Sequence, residues 1–179
     1  MTRPSHLRTL DLAYIALFAV LMTVCAWITI PFAVPITLQT FAAFLALTTL
    51  GGWRGLYAIA VYLLLGAVGL PVFSGFQGGL GVLLGPSGGY LLGFLASALI
   101  YHLLTRKWGT SVRMIRLACG AGLLTCYATG TIWFWGIYAK GSADVLNLFL
   151  LCGIPFLLPD LLKLALALWL APRLQKYMK

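Results

Sequence analysis

The chain carries little charge and almost no acid. Among 179 residues there are three Asp, no Glu and twelve Lys or Arg, so charged residues make up only 8% of the composition. Soluble domains carry about 25% charged residues, whereas 62% of this chain is hydrophobic. The composition therefore excludes an ordinary soluble domain and predicts a multi-pass protein of the cell membrane, with the lipid bilayer as its surroundings.

The signatures of nucleotide and metal binding are also missing. The sequence has no G-x-x-x-x-G-K-[ST] motif and no G-x-G-x-x-G motif between a strand and a helix, so nucleotide binding is not expected. Cys25, Cys119, Cys126 and Cys152 form no C-x-x-C pair and no Cys/His metal spacing, which favours buried thiols over a metal site. No cofactor is expected.

Apolar segments fill most of the chain. Their hydropathy is continuous rather than alternating, and a helix of about 20 apolar residues can cross a bilayer, so helices are favoured over a barrel. The pattern predicts an all-α integral membrane protein with a single domain, residues 1–179, built as a six-transmembrane-helix bundle. The predicted segments are residues 12–30, 36–51, 55–70, 87–104, 115–138 and 148–170.

The positive charges alternate between the connectors. Ten of the twelve Lys and Arg lie in residues 3–8, 52–54, 106–116 and 173–179, while Lys140 lies in the connector 139–147 and Lys163 within the last segment. By the positive-inside rule both termini are cytoplasmic. No basic face with interleaved aromatic residues is present, so no nucleic-acid partner is expected.

The connector after the third segment is rich in glycine. Residues 69–89 hold eight of the chain's twenty glycines and no charged residue. Glycine lets the backbone approach a ligand closely, and connectors of this length are usually functional or disordered. The apolar, aromatic-bearing composition argues against disorder. We therefore expect a long outer loop between helices 3 and 4 that folds over a cavity as a lid.

An acid and an amine lie together in the last apolar segment. Asp160 and Lys163 are three residues apart and so share one face of a helix. Charges inside an apolar helix are costly and indicate a functional site that faces a cavity. The alternative is an ion pair that only tethers neighbouring helices. A helix continuous from Leu148 would place Asp160 roughly 18 Å deep, whereas a break at Pro155 or Pro159 would leave it nearer the outer surface.

Three stretches of sequence resemble one transporter family. They read PITLQTF at residues 35–41, GLPVF at 69–73 continuing to GPSGGYL at 85–91, and PDLLK at 159–163. Together they are similar to the BioY family, the biotin-specific S components of energy-coupling factor transporters. The resemblance implies capture of biotin from outside the cell. It also implies partners, namely a membrane scaffold (T) subunit and a pair of cytoplasmic ATPases.

The resemblance also implies a substrate-binding site beneath the first and third outer loops. Asp160 and Lys163 match the ligand-contacting Asp and Lys of the family's last helix. Further candidates are polar groups that could complete the hydrogen bonding, and rings that could cover the apolar part of biotin; for each of these a structural role is an equal alternative. They are Gln39, Ser74 and Gln77, and Phe73, Phe76 and Tyr90.

Two points depart from the family pattern. The resemblance implies, for some members, an additional basic residue near the fourth helix that binds the biotin carboxylate, but no Lys or Arg lies between Arg54 and Arg106. The carboxylate could therefore meet Lys163, a backbone N–H of the glycine-rich loop, or solvent. The family's small-residue seam for docking the scaffold takes an altered form, as Ala13, Ala16 and Ala19 on the first helix. Small residues of this kind allow close helix contact.

Three alternative functions follow from the same residues. The chain could be an S component for a different vitamin. A membrane-embedded enzyme would need clustered carboxylates, a Ser/His pair or a metal site; His6 and His102 lie near the cytoplasmic side, away from Asp160, so the chain is not expected to be an enzyme. A channel would show rings of charge or pore-lining polar residues, and Asp160 beside Lys163 suits single-sign selectivity poorly.

Overall fold

The computed structural model describes residues 8–31, 35–137 and 154–178. These ranges contain seven α-helices and one antiparallel pair of short strands, which pairs Thr29 with Thr37. Along the chain they are α1 Thr9–Trp27, β1 Thr29–Ile30, β2 Ile36–Thr37, α2 Gln39–Leu50, α3 Gly52–Ala67, α4 Leu80–Leu83, α5 Gly88–Trp108, α6 Val112–Ile137 and α7 Ile154–Gln175. Helices α1, α5 and α6 are each long and apolar enough to cross a membrane, and α2 and α3 are shorter apolar helices.

The prediction of an all-α membrane protein is confirmed in its coarse form. Six longer helices overlap the six predicted segments, and the seventh, α4, lies inside the predicted glycine-rich loop. The second predicted segment began too early, because residues 36–37 pair with β1 and the helix starts at Gln39. The predicted connector 139–147, with Lys140, and the first part of the segment 148–170 lie outside the described residues, as do Arg3, His6 and Cys152.

Helix α2 occupies the centre of the bundle. Eleven of its twelve residues are buried, and it packs against α1, α3 and α7. An apolar helix that is buried on all sides needs neighbours around its whole circumference. The surrounding helices therefore expose large apolar side chains outward, for example Leu17, Leu64 and Leu124, each at least 60% exposed. Such an apolar outer surface suits a lipid environment.

Small residues bring α5 and α6 close together. The backbone of Cys126 lies close to Gly93, where a Cβ would be 3.0 Å from its Cα. The hydroxyl of Ser97, which is 1% exposed, lies 2.7 Å from the carbonyl oxygen of Gly93 and 2.5 Å from that of Gly122 across the interface. Small and hydroxyl-bearing residues of this kind are typical of close helix pairs in membranes. The α5–α6 pair forms one wall of the site described below.

The bundle has two chemically different ends. One end, here called the basic end, joins α2 to α3 and α5 to α6, and Arg54 Nε lies 3.1 Å from Asp11 Oδ1 there. The other, here called the cavity end, is formed by the strand pair, residues 68–87 and the start of α7. Within the described ranges, every Lys and Arg except Lys163 belongs to the basic end: Arg8, Arg54, Arg106, Lys107, Arg113, Arg116, Arg173 and Lys176.

Candidate substrate-binding site

A partly open cavity lies at the cavity end of the bundle. The empty space in it, counted to the open mouth, is about 760 Å³. The centre of a water molecule can occupy about 90 Å³ of that space without overlapping the walls. Seven of the eight substrate-site positions predicted from the sequence line it, together with further residues of α2, α5, α6 and α7. The seven are Gln39, Phe73, Ser74, Gln77, Tyr90, Asp160 and Lys163. The eighth, Phe76, is not among the lining residues and is 64% exposed. The cavity therefore has room for a small molecule and presents both apolar and polar walls.

The acid and the amine of α7 form an ion pair inside this cavity. Lys163 Nζ lies 2.7 Å from Asp160 Oδ1, and it donates a second hydrogen bond of 2.7 Å to the carbonyl oxygen of Thr37. Tyr127 on α6 donates from its phenol to Asp160 Oδ2 at 2.8 Å. The side chains of Asp160 and Lys163 are only 9% and 12% exposed. Three elements, β2, α6 and α7, thus hold the two charges in place.

The paired charges keep unused hydrogen-bonding capacity. An ammonium has three donors, and among the described residues two of those of Lys163 have acceptors. A carboxylate offers about four acceptor positions, and two of those of Asp160 are occupied in the same part of the chain. The pair can accordingly accept one hydrogen bond and donate another to a ligand without breaking apart. Within residues 8–31, 35–137 and 154–178, no three His, Cys, Asp or Glu side chains group closely enough to hold a metal ion.

Gln39 connects the cavity wall to the segment that covers it. Its amide oxygen accepts a hydrogen bond of 2.9 Å from the Thr37 hydroxyl, and its amide nitrogen donates to the hydroxyl of Tyr62. Tyr62 in turn donates to the carbonyl oxygen of Val72 at 3.1 Å. Gln39 and Tyr62 are both buried, so this chain of hydrogen bonds fixes the position of residue 72 relative to α2 and α3.

Residues 68–87 close the cavity from one side. They contain a 3₁₀ turn, Ser74–Phe76, in addition to the short helix α4, and the role of this segment as a lid stays a prediction. Phe73 is 1% exposed and its ring lies directly against Gly66, where any added Cβ would overlap it. Glycine at position 66 therefore makes space for the ring that lines the cavity.

Polar and aromatic contacts attach this cover to the end of α1. Ser74 Oγ donates to Thr29 Oγ1 at 3.0 Å, and the indole of Trp27 donates to the carbonyl oxygen of Pro71 at 2.9 Å. The ring of Trp27 also stacks on Phe76, with 4.8 Å between centroids. Phe76 has φ of 58°, a conformation that costs energy for a residue with a bulky side chain. The stack is thus held on a strained residue at the edge of the cavity.

Comparison with known proteins gives this arrangement a family. The family model described as "BioY family" matches residues 1–179. The biotin transporter BioY of Thermotoga maritima is 43% identical over 162 residues, which cover 89% of this chain and 92% of that protein. The chain belongs to the BioY family. A probable biotin transporter BioY of Pyrococcus horikoshii is 38% identical over 166 residues, covering 92% of this chain and 96% of that protein.

One solved structure has a similar fold. The chain resembles the crystal structure of the S-component for biotin from an ECF-type ABC transporter, with a TM-score of 0.82 and 26% sequence identity. The match covers 93% of this chain and 90% of that one. Together with the long apolar helices α1, α5 and α6, the likeness identifies this BioY-family chain as a multi-pass membrane protein.

Sequence reasoning missed two groups that contact the Asp160–Lys163 pair in this BioY-family chain. Tyr127, which donates to Asp160, lies among apolar residues of α6, and the carbonyl oxygen of Thr37, which accepts from Lys163, belongs to the backbone. A tyrosine in the middle of an apolar helix, away from the interface where aromatic rings are usual, was an available signal for the first. A backbone carbonyl has no sequence signal.

The three alanines predicted for scaffold docking do not share one surface. Ala13 and Ala16 are exposed, whereas Ala19 is 1% exposed and lies in the core of this BioY-family bundle. The reason is helical geometry, because residues three apart are turned by about 60° and residues six apart by about 120°. A single docking stripe cannot include Ala19, which is buried. Of the three alanines, only Ala13 and Ala16 lie on the exposed face of α1.

Proposed function

We propose that the chain captures biotin at the outer side of the cell membrane, as the substrate-binding subunit of an energy-coupling factor transporter. The observation that carries the proposal is the buried Asp160–Lys163 pair, which has hydrogen-bonding capacity to spare in a cavity lined by seven of the eight substrate-site positions predicted from the sequence. The biotin named for the related transporters and for the matching S-component fits this chemistry.

Biotin enters ring first, with its ureido group against the charge pair. The ureido group carries N–H donors directly beside a carbonyl acceptor, and Asp160 beside Lys163 presents the complementary acceptor and donor. Since the ring is neutral, it adds no net charge to the buried pair. A carboxylate placed at Lys163 would instead lie close to the carboxylate of Asp160, and like charges at that distance repel strongly where water is scarce.

The rest of the ligand is held by the remaining walls. Phe73 and Tyr90 cover the fused rings, while Gln39, Ser74 and Gln77 supply polar groups toward the strand pair and the cover segment. Among the described lining residues Lys163 is the one basic side chain, so in this orientation the tail carboxylate points to the mouth. There it meets uncharged donors and water.

Uptake requires partners beyond this chain. We assign it six membrane-spanning helices with both termini in the cytoplasm, so that the cavity end faces outward and the basic end inward, in line with the positive-inside rule. The chain binds and releases biotin without catalysing a reaction, and energy comes from cytoplasmic ATPases through the scaffold subunit. The exposed face of α1 with Ala13 and Ala16 is the proposed scaffold contact, because small residues allow helices to approach closely.

Binding of labelled biotin to the purified chain tests the proposal. One biotin bound per chain, displaced by unlabelled biotin but not by other vitamins, is the expected result. Binding of a different vitamin in its place would overturn the assignment of biotin as the substrate but would keep the transporter class. The ring-first orientation is tested with biotin amide, which lacks the tail charge. Lys163→Met should weaken biotin and biotin amide by the same factor; a loss confined to biotin would assign Lys163 to the carboxylate.

A further inference from the structure

A second cavity, distinct from the substrate site, opens at the basic end of the bundle. It is a groove with about 370 Å³ open to the centres of water molecules, and α2, α6 and α7 form its walls. We call it the basic-end groove, and it is lined by Thr48, Val112, Ile115, Arg116, Ala165, Leu168, Trp169, Ala171, Pro172 and Gln175. On α7 its lining runs from Ala165 to Gln175 and so begins two residues after Lys163 of the substrate site, which places the two cavities on successive stretches of the same helix.

The groove follows from the way the helices pair. Helix α6 packs chiefly on α5, whereas α7 packs chiefly on α2, so a seam is left between α6 and α7. Gln175 fastens α7 to the floor of this seam, with its amide nitrogen 2.8 Å from the carbonyl oxygen of Thr48. Both rims are open to the outside, as Val112 is 65% and Trp169 is 58% exposed. In a bilayer such a seam opens directly onto lipid.

The walls change from apolar to basic along the groove. Ala165, Leu168 and Ile115 line its apolar part, while Arg116 and Gln175 supply polar groups to it. From Ala165 to Gln175 the groove follows α7 for about 15 Å. The guanidinium of Arg173 lies 3.3 Å from the centre of the Trp169 ring that forms one rim. The groove therefore combines an apolar stretch with positive charge from two helices.

The charge around the groove is of one sign. Arg113 precedes Arg116 by one turn of α6, and Lys176 follows Arg173 on α7. None of the described lining residues is acidic, and Asp11, at the same end, is already paired with Arg54. Basic pockets between transmembrane helices attract anionic lipid head groups, and the attraction grows with each Lys or Arg near the membrane surface.

We propose that the basic-end groove binds one anionic glycerophospholipid. The lipid phosphate lies between Arg116 and Arg173, and one acyl chain lies along Ala165, Leu168 and Ile115. A lipid fits better than a protein helix because a groove in a lipid-facing wall is filled by acyl chains whenever the protein is in a bilayer, and the arginines then select the charge of the head group. The site is independent of the biotin cavity.

Native mass spectrometry of the purified chain tests this site. The chain is released from detergent with either phosphatidylglycerol or phosphatidylcholine of identical acyl chains. We expect one phosphatidylglycerol to stay bound, with about tenfold preference over phosphatidylcholine. The double variant Arg116→Gln/Arg173→Gln should lose the preference and still bind biotin. The matched control Arg106→Gln/Lys107→Gln, at the same end but outside the groove, should keep it. Glycerol phosphate should not compete, because it lacks an acyl chain.

A second measurement does not depend on the arginine variants. Phosphatidylglycerol with brominated acyl chains should quench the fluorescence of the native chain more than brominated phosphatidylcholine does, and Trp169→Phe should remove that difference. Equal binding of both lipids by the native chain would overturn the proposal. So would a loss of the phosphatidylglycerol preference in the Arg106/Lys107 control that equals the loss in the Arg116/Arg173 variant. So would an Arg116/Arg173 variant that keeps its lipid but no longer assembles with the scaffold subunit, since the groove would then be a protein-docking surface.

Discussion

Tyr127 on α6 donates a hydrogen bond of 2.8 Å to Asp160 on α7, on the carboxylate oxygen opposite the one that faces Lys163. The carboxylate in the cavity is therefore held from two helices. Each of its oxygens has a protein donor, and this fixes the plane of the carboxylate before any ligand arrives. A ligand that needs this acceptor in one orientation gains from the preorganisation.

Removing the hydroxyl group of Tyr127 should weaken biotin binding moderately. In Tyr127→Phe, one oxygen of a buried carboxylate loses its donor, and hydrogen bonds to charged groups are worth about 1.5–3 kcal/mol. Part of that loss is recovered by water, so we expect about tenfold weaker binding, measured by calorimetry. Tyr101→Phe is the control, since Tyr101 is equally buried but does not line the cavity. A similar loss in both variants would contradict the assigned role.

A double-variant cycle separates the two interpretations of the charge pair. Lys163→Met leaves a buried carboxylate without its cation, which typically costs about 3–5 kcal/mol of folding free energy. Adding Asp160→Asn should restore most of the thermal stability, because no lone charge is then left in the cavity. Biotin binding should stay lost in the double variant. Recovery of binding together with stability would mean that the pair only tethers the helices.

The stack of Trp27 on Phe76 should slow the escape of biotin. Trp27→Ala removes an aromatic pair worth about 0.5–1.5 kcal/mol and a hydrogen bond to the cover segment. We expect the dissociation rate to rise about tenfold with little change in association, measured by displacement of labelled biotin. Trp108→Ala is the control, because Trp108 lies at the basic end and is 56% exposed. An unchanged dissociation rate for Trp27→Ala would contradict the role of the Trp27–Phe76 stack in slowing biotin release.

Gly66→Ala should displace the ring of Phe73 from the cavity wall. The added methyl would overlap that ring, and overpacking a well-filled site costs about 1–3 kcal/mol. We expect a lower melting temperature and weaker biotin binding. Gly120→Ala is a matched substitution in a helix, with nothing within 4 Å of the new methyl, and it should change neither. If Gly66→Ala binds biotin normally, Phe73 does not define the site.

The helices and the charged pair could be predicted from the sequence, because long apolar segments and charges within an apolar helix are strong local signals. The two-residue strands were out of reach, since they depend on pairing rather than on composition. Pro159 was a possible break, yet it lies inside α7, where surrounding helices can compensate for its missing hydrogen bond. Asp160 is the seventh residue of the described helix, about 9 Å from its first residue.

The partners of the site were harder to predict than its charges. A tyrosine away from the membrane interface, such as Tyr127, is unusual, but the local sequence does not name its partner, and only the folded bundle brings it to Asp160. Ala19 was misjudged because positions three residues apart move steadily around the helix, so that Ala19, the last of the three, faces the core. Both outcomes depend on the packing of helices distant in sequence, which a single local pattern does not encode.

Equilibrium binding of labelled biotin by two matched acid variants tests the central claim most directly. Asp160 and Asp11 are both buried aspartates paired with a basic residue, the first in the cavity and the second at the basic end. Asp160→Asn should weaken biotin binding at least tenfold, because an N–H acceptor becomes a neutral amide, while Asp11→Asn should bind as the native chain does. Native affinity in Asp160→Asn, or the same loss in both variants, would contradict the account.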